Sequence, residues 1–210
     1  MKWVVGIDEV GRGALAGPVT VVAVMLAVDA RGRIAYARFR RLKDSKKLTA
    51  AQREFWAKQL TRSTGVRFAV ARIYPRGIER LNISGAANRA ALRAFSRLLK
   101  NHKLPKTARV YLDGGLFLGS KTLQRALAKT VNVKTVIKGD EKFAGVAAAS
   151  IIAKVSRDGF MVRLAKKHPQ YGFEIHKGYG TAAHLRALKK NGPCAAHRLT
   201  FLIKRPNMKR

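Results

Sequence analysis

The run from Val19 to Val28 limits what this chain can fold into more than any other segment. It is apolar almost throughout and rich in β-branched residues, a composition suited to a strand in a packed interior. It is about half the length of the ~20 residues that a membrane-crossing helix needs, so it reads as a core strand. Residues 3–8 form a strand before it, and Gly17-Pro18 punctuates the chain between the two. Asp29-Ala30-Arg31-Gly32 signals a turn after it, and Val66 to Tyr74, closed by Pro75, reads as a third strand. Together these segments predict an antiparallel meander. Thr49, with Gln52 three residues on, forms a capping box that opens a helix from Ala50 to Leu60.

The pattern then changes. Asn82 to Lys100 has helical periodicity through Ala86, Ala90, Leu92, Phe95 and Leu99. A short strand from Val110 to Leu112 stops at Asp113-Gly114-Gly115, and one from Val131 to Ile137 ends in Lys138-Gly139-Asp140. Gly145 to Lys167 is a long helix of small residues, and Thr181 to Lys190 is another, after Gly178-Tyr179-Gly180. The basic stretch from Lys204 to Arg210 is expected to be a frayed tail. Strands first, then strands alternating with helices, predict an α/β protein with a mixed sheet. A chain of 210 residues can hold one sizeable core and a small appendage.

With 44 Lys and Arg against 11 Asp and Glu, the formal net charge is +33. This points to a polyanionic partner, with nucleic acid first and an anionic membrane surface second. The single cysteine, Cys194, excludes an internal disulfide and a Cys-rich zinc site and fits a reducing cytoplasm. Met1-Lys2-Trp3-Val4 lacks a cleavage-site pattern, so no secretory signal is expected and the location is read as cytoplasmic.

Against this charge the placement of the few acids is informative. Asp8-Glu9, Asp113 and Asp140 each follow an apolar strand-like segment, with glycines beside them or one step beyond. Singly, each is more often a turn or cap residue. Together at one sheet edge, where ligands of α/β proteins bind, they would repel one another unless they held cations. Carboxylate oxygens without His or Cys suit Mg²⁺ or Mn²⁺ and not zinc. Two such ions about 3.5–4 Å apart serve in-line phosphoryl displacement. Regular strand geometry would point Asp8 and Glu9 to opposite faces, so the strand is expected to break there, with Gly11 and Gly13 as the means.

The block Gly6-Ile7-Asp8-Glu9-Val10-Gly11-Arg12-Gly13, then Leu15-Ala16-Gly17-Pro18-Val19, resembles the signature of type 2 ribonuclease H, ribonuclease HII. The resemblance continues in order through Asp44-Ser45-Lys46-Lys47-Leu48, Leu81-Asn82-Ile83, Leu112-Asp113-Gly114, Lys138-Gly139-Asp140 and Ala147 to Val155. It ends with Arg157-Asp158, Tyr171-Gly172-Phe173, His176 to Thr181 and His197-Arg198, so it covers nearly the whole chain. It implies a ribonuclease H-like fold: a mixed five-stranded sheet flanked by helices over residues 1–165, and a helical C-terminal extension over 166–210 that contributes to substrate binding. It implies endonucleolytic cleavage of RNA in RNA–DNA hybrids, and 5′ to single ribonucleotides embedded in duplex DNA, leaving 3′-hydroxyl and 5′-phosphate ends.

By matching motif, the resemblance makes Asp8, Glu9, Asp113 and Asp140 the metal-binding carboxylates, with two Mg²⁺ or Mn²⁺ ions during catalysis. It gives Gly11, Arg12 and Gly13 the ribonucleotide and its 2′-hydroxyl, Tyr179 the sugar at the RNA-to-DNA junction, and Ser45, Lys46 and Lys47 the backbone phosphates. Ala14 stands where the family commonly has proline, and Thr200-Phe201-Leu202-Ile203 departs from the usual block. Type 3 enzymes are less expected, because they carry a substantial domain ahead of the Asp-Glu strand and tend to have Glu as the fourth carboxylate. Glu141 is adjacent, but the Lys-Gly-Asp spacing selects Asp140. A monomer is expected, with no clear sliding-clamp motif in the last residues.

Elsewhere, His176, His184 and His197 read as phosphate-side or structural, and Lys154 and Arg157 as phosphate-binding or merely solvated. Asp158 reads as a local charge partner, and Cys194 as buried or incidental. The rival from another class is a non-catalytic basic nucleic-acid-binding protein. It explains the charge but not four carboxylates at strand ends, which would weaken phosphate binding.

Overall fold

Ten consecutive buried residues make β2 (Val19–Val28) the centre of the fold. In the computed structural model the described residues are 2–29, 42, 48–102, 104, 107–127, 129 and 131–203. Ser45, Lys46 and Lys47, and the basic tail from Lys204, therefore lie outside them. The sheet comprises β1 (Lys2–Val10), β2, β3 (Val66–Ile73), β4 (Arg109–Asp113) and β5 (Asn132–Val136) in the order β3-β2-β1-β4-β5. β2 is antiparallel to both β1 and β3, whereas β4 runs parallel to β1 and to β5. The expected meander and the mixed five-stranded sheet are both present.

Strand alternation sends the side chains of β2 to two cores. Val19, Val21, Ala23 and Met25 meet Ala86, Ala90, Ala94, Phe95 and Leu98 on one face of the sheet. Val22, Val24, Leu26 and Val28 meet Ala57, Leu60, Ala148, Ala149, Ile151 and Ile152 on the other. The helices responsible are α1 (Ala50–Arg62) on the second face and α2 (Pro75–Asn101) on the first. The short α3 (Lys121–Leu127) and α4 (Gly139–Lys142) lead on to α5 (Ala144–Lys167), which lies on the second face. The connection between β2 and β3 carries α1, opened by the expected Thr49 and Gln52 box.

Two glycines set the approach of α5 to the sheet. A Cβ on Gly6 would lie 1.9 Å from the backbone carbon of Gly145, so helix and strand backbones touch where larger residues would separate them. Their contact seats the first turns of α5 directly behind the end of β1.

The helix expected from Asn82 begins seven residues earlier, with Pro75 at its first position after the strand. Asn82 is instead a break within α2, at φ 54°. Its side-chain oxygen accepts from the Gly85 N–H at 2.9 Å, the contact of a helix cap.

A third apolar cluster brings Leu15 and Ala16 of the β1–β2 connection against Met161, Ala165, Tyr171, Phe173, Leu188, Ala196 and Leu202. These belong to the far half of α5, the segment after it, α6 (Phe173–His176), α7 (Ala182–Asn191), α8 (Leu199–Ile203) and, for Ala196, the connection between α7 and α8. No helix among the described residues is long and apolar enough to cross a membrane.

Candidate active site

Parallel pairing of β1 with β4 places the acids. Ile7 is opposite Leu112, so Asp8 and Asp113 come next on adjacent strands, at their C-terminal ends. Asp8 is buried. Its Oδ1 accepts from the Glu9 N–H at 2.7 Å, and Ser150 of α5 also donates to its carboxylate. Asp113 Oδ1 accepts from the Gly139 N–H at 2.6 Å, and a side chain at 139 would crowd that oxygen. Asp140, the next residue, is buried in the first turn of α4, entered through Lys138 in a left-handed conformation.

The expected break in the strand at Asp8-Glu9 does not occur. β1 stays paired with β2 through Glu9 and Val10, opposite Val21 and Thr20, and turns only at Gly11, where φ is 87°. The two carboxylates therefore leave on opposite faces. Asp8 meets Ser150 on the α5 side, whereas Glu9 accepts from Arg12 at 3.2 Å, and Arg12 in turn donates to Ser84 of α2 at 3.1 Å.

Their charges still converge. Burial raises the Asp8 pKa well above the ordinary carboxylate value, and Glu9 and then Asp113 push it further. Burial also raises Glu9, with Arg12 pulling it back and Asp113 adding to the rise. Glu9 Oε2 is buried with no hydrogen-bond partner among the described residues. Raised carboxylates with an orphaned oxygen are the electrostatic condition that a hard divalent cation relieves, and the donor set of oxygens fits Mg²⁺ or Mn²⁺. Among the described residues no group of three or more His, Cys, Asp or Glu side chains is placed so as to hold a metal ion; the acids stand on β1, β4 and α4.

The glycine-rich turn beside these acids has two different glycines. Gly11 is buried, and a Cβ there would strike the Arg157 side chain at 2.2 Å. Gly13 is exposed, and a Cβ there would meet nothing within 4 Å. No neighbour among the described residues demands a glycine at 13, and its bare backbone is exposed. Arg12, read as a ligand contact, has its guanidinium engaged by Glu9 and Ser84.

Arg157 corrects the expectation of a phosphate-binding or solvated residue: it is completely buried. Its guanidinium donates to the carbonyls of Pro18 (3.0 Å), Ala16 (3.1 Å) and Lys177 (2.9 Å). Arg198 is equally buried and donates to Gly17 and Arg12 carbonyls. Burial penalises both cations, and for Arg198 the like charge of Arg157 adds to it. Together they tie the glycine-rich turn to the C-terminal helices. Sequence reasoning missed this because a buried arginine satisfied only by carbonyls has no local signature in a chain so rich in arginine.

Tyr179 is half-buried, with Arg157 5.3 Å and Lys154 5.9 Å from its ring centroid. The Gly178 carbonyl accepts from the N–H groups of Leu15 and Ala16, which sets Tyr179 close to the β1–β2 connection. Asp158 pairs with Lys154 at 2.9 Å, the local charge partner expected. The three histidines are buried, which selects the structural reading over the phosphate one. Cys194 is partly buried and touches His197.

A family model described as Ribonuclease HII matches residues 5–204. A ribonuclease HII of Nitratidesulfovibrio vulgaris is 42% identical over 209 residues, covering 96% of this chain and 87% of its own. One from Campylobacter concisus is 42% identical over 204 residues, covering 97% and 95%. Among solved structures, the RNase HII in complex with PCNA from Archaeoglobus fulgidus matches at TM-score 0.71 and 27% identity, covering 99% of this chain and 96% of that one. The ribonuclease H2 of Pyrococcus horikoshii matches at 0.70 and 27%, covering 94% and 93%. Bst-RNase HIII in complex with Mn²⁺ shares the fold at TM-score 0.72 and 20% identity, covering 95% and 67%. The chain belongs to the ribonuclease HII family and is a ribonuclease H, a nuclease of the hydrolase class.

Proposed function

We propose that this protein hydrolyses the RNA strand of RNA–DNA hybrids and cuts 5′ to ribonucleotides embedded in duplex DNA. The observation that carries the reading is the pair Asp8 and Glu9, both raised in pKa, with Glu9 Oε2 buried and unpartnered among the described residues, beside an exposed glycine backbone. A basic binding protein would gain nothing from ionisable acids held together in this way.

Asp8, Glu9, Asp113 and Asp140 would hold two Mg²⁺ or Mn²⁺ ions, which supply charge neutralisation at the phosphate and a more acidic attacking water. The reaction is an in-line displacement: water oxygen bonds to phosphorus, the bond to the 3′-oxygen breaks, and 3′-hydroxyl and 5′-phosphate ends result. The chain's own groups do the selecting. The backbone of Gly11, Arg12 and Gly13 meets the 2′-hydroxyl, which distinguishes RNA from DNA, while Glu9 and Ser84 hold the Arg12 side chain in place. Tyr179 packs on the sugar at the junction, with its ring backed by Arg157. Ser45, Lys46 and Lys47 position the duplex through its phosphates. Residues 1–165 would form the catalytic core and 166–210 the extension that completes the binding surface, the whole acting as a cytoplasmic monomer.

Incubation with a duplex carrying one ribonucleotide, in Mg²⁺, Mn²⁺ or chelator, tests the reading. Incision 5′ to the ribonucleotide only with metal is expected. Binding without incision under all three conditions would overturn it in favour of the basic binder.

A further inference from the structure

Behind Tyr179 lie three imidazoles that the cleavage chemistry does not use. His176, His184 and His197 are buried among the C-terminal helices. The rings of His176 and His184 stack with centroids 4.3 Å apart, and Phe173 packs against both His184 and His197 at 5.6 and 5.5 Å.

Fixed backbone groups assign each ring nitrogen a role. The Cys194 N–H donates to His197 Nδ1 at 3.0 Å, so the hydrogen of that ring is on Nε2. His197 Nε2 lies 3.1 Å from His184 Nε2 and donates to it. The hydrogen of His184 is then on Nδ1, 2.9 Å from the Tyr179 carbonyl, which can only accept. An amide, two imidazoles and a carbonyl form one directional chain that ends on the backbone of Tyr179. His197 is suited to this as a neutral ring, since burial, and then His184, lowers its pKa to about 4.

The segment that receives this bond is not held by regular structure. Lys177 and Gly178 both have positive φ, 52° and 81°, a region unfavourable to a non-glycine residue. The Lys177 carbonyl is fixed by Arg157 and that of Gly178 by Leu15 and Ala16, while that of Tyr179 accepts locally from the Thr181 N–H and from outside the turn from His184.

We infer that His184, oriented by His197, is a positioning residue for ribonucleotide recognition: its Nδ1–H fixes the Tyr179 backbone so that the ring meets the junction sugar. This rests on Tyr179 being the junction contact.

The test measures kcat and KM on two substrates, a duplex with one embedded ribonucleotide and a uniform RNA–DNA hybrid, with thermal unfolding of each variant. His184→Phe keeps a ring and removes the donor. It is expected to lower kcat/KM on the single ribonucleotide by about 10- to 100-fold, and the hybrid less. His184→Asn, whose amide stands where Nδ1 stood, is expected to restore most of the loss. His184→Phe combined with Tyr179→Ala is expected to be no slower than Tyr179→Ala alone, because both act through one contact. Should His184→Phe not fold, His184→Gln, polar but lacking a donor at the Nδ1 place, is expected to show the same selective loss. An equal loss on both substrates, or a full additional loss in the Tyr179→Ala background, would overturn the inference. If Tyr179→Ala itself leaves substrate choice unchanged, the junction reading of Tyr179 fails and the inference with it. If Tyr179→Ala is selective and the His184 variants are not, only the inference fails.

Discussion

Arg198 donates from Nη1 to the carbonyl of Arg12 at 2.8 Å, joining residues 186 positions apart in the chain. Arg198 also donates twice to the Gly17 carbonyl. One buried cation thus holds both ends of the glycine-rich turn from the C-terminal side, as Arg157 holds its exit through Ala16 and Pro18. Carbonyl dipoles compensate the desolvated charge of both arginines, and Asp158 adds its charge at Arg157.

Arg198→Met should therefore cost more than lost packing. It leaves the buried Gly17 carbonyl and the partly buried Arg12 carbonyl without this donor, a loss of about 2–5 kcal/mol. For a chain of this size that lowers Tm by about 5–15 °C. Arg198→Lys keeps the charge but not the fork and should recover only part of it. Unfolding curves for the parent and both variants check this. A Tm for Arg198→Met within about 2 °C of the parent would show the turn is held by other means.

Asp8→Asn should stabilise the metal-free protein near neutral pH. The Asp8 pKa is raised in the folded state, by burial first and then by Glu9 and Asp113. Between the unfolded value, about 3.9, and the raised folded value, the folded state binds more protons than the unfolded one. Stability is then full below the unfolded value and falls as pH rises through that window. The Asn variant is free of this fall, so its advantage in Tm should be present at about pH 7 and should shrink towards about pH 4. Divalent cation should raise Tm in the parent and much less in Asp8→Asn. An Asn variant that melts below the parent at neutral pH without metal would contradict the repulsion.

Asp8→Asn and Asp113→Asn should each reduce cleavage by a factor on the order of 10²–10⁴, several kcal/mol of transition-state stabilisation. Duplex binding should survive, since neither residue is read as a phosphate contact. Single-turnover cleavage with a parallel binding titration separates the two effects. Cleavage within threefold of the parent in either variant would remove that residue from the site.

The meander and the mixed sheet were legible because they leave local marks. Val19–Val28 has no polar face, and Asp8, Asp113 and Asp140 each follow an apolar run with a glycine within three residues. The state of the site was less legible. Asp8-Glu9 looked like a strand break because two adjacent carboxylates cannot share a face. Instead the strand runs on to Val10, and convergence comes from Asp113 on the neighbouring parallel strand. The break within α2 was hidden because Asn82 fits both the start of a helix and a cap between two. The roles of Arg157, Arg198 and the three histidines depend on contacts between segments far apart in sequence, and periodicity does not report those.

Salt should separate affinity from selection. A surface with +33 formal charge that neutralises about 6–10 phosphates should lose affinity by a factor on the order of 10³–10⁵ between about 50 and 200 mM salt. The choice of cleavage site should persist over the same range, because the contacts of the Gly11-Arg12-Gly13 backbone with a 2′-hydroxyl are short-range and little screened. Lys46→Gln with Lys47→Gln should flatten the plot of log affinity against log salt, each lost phosphate contact removing about 0.9 from its slope. The double variant should still cut at the same bond, since positioning charges carry no information about the ribose. Binding isotherms across the salt series, with product mapping at each concentration, decide it. A flat salt response in the parent, or a shifted cut in the double variant, would mean that the basic surface and the ribose-reading turn do not divide the work in this way.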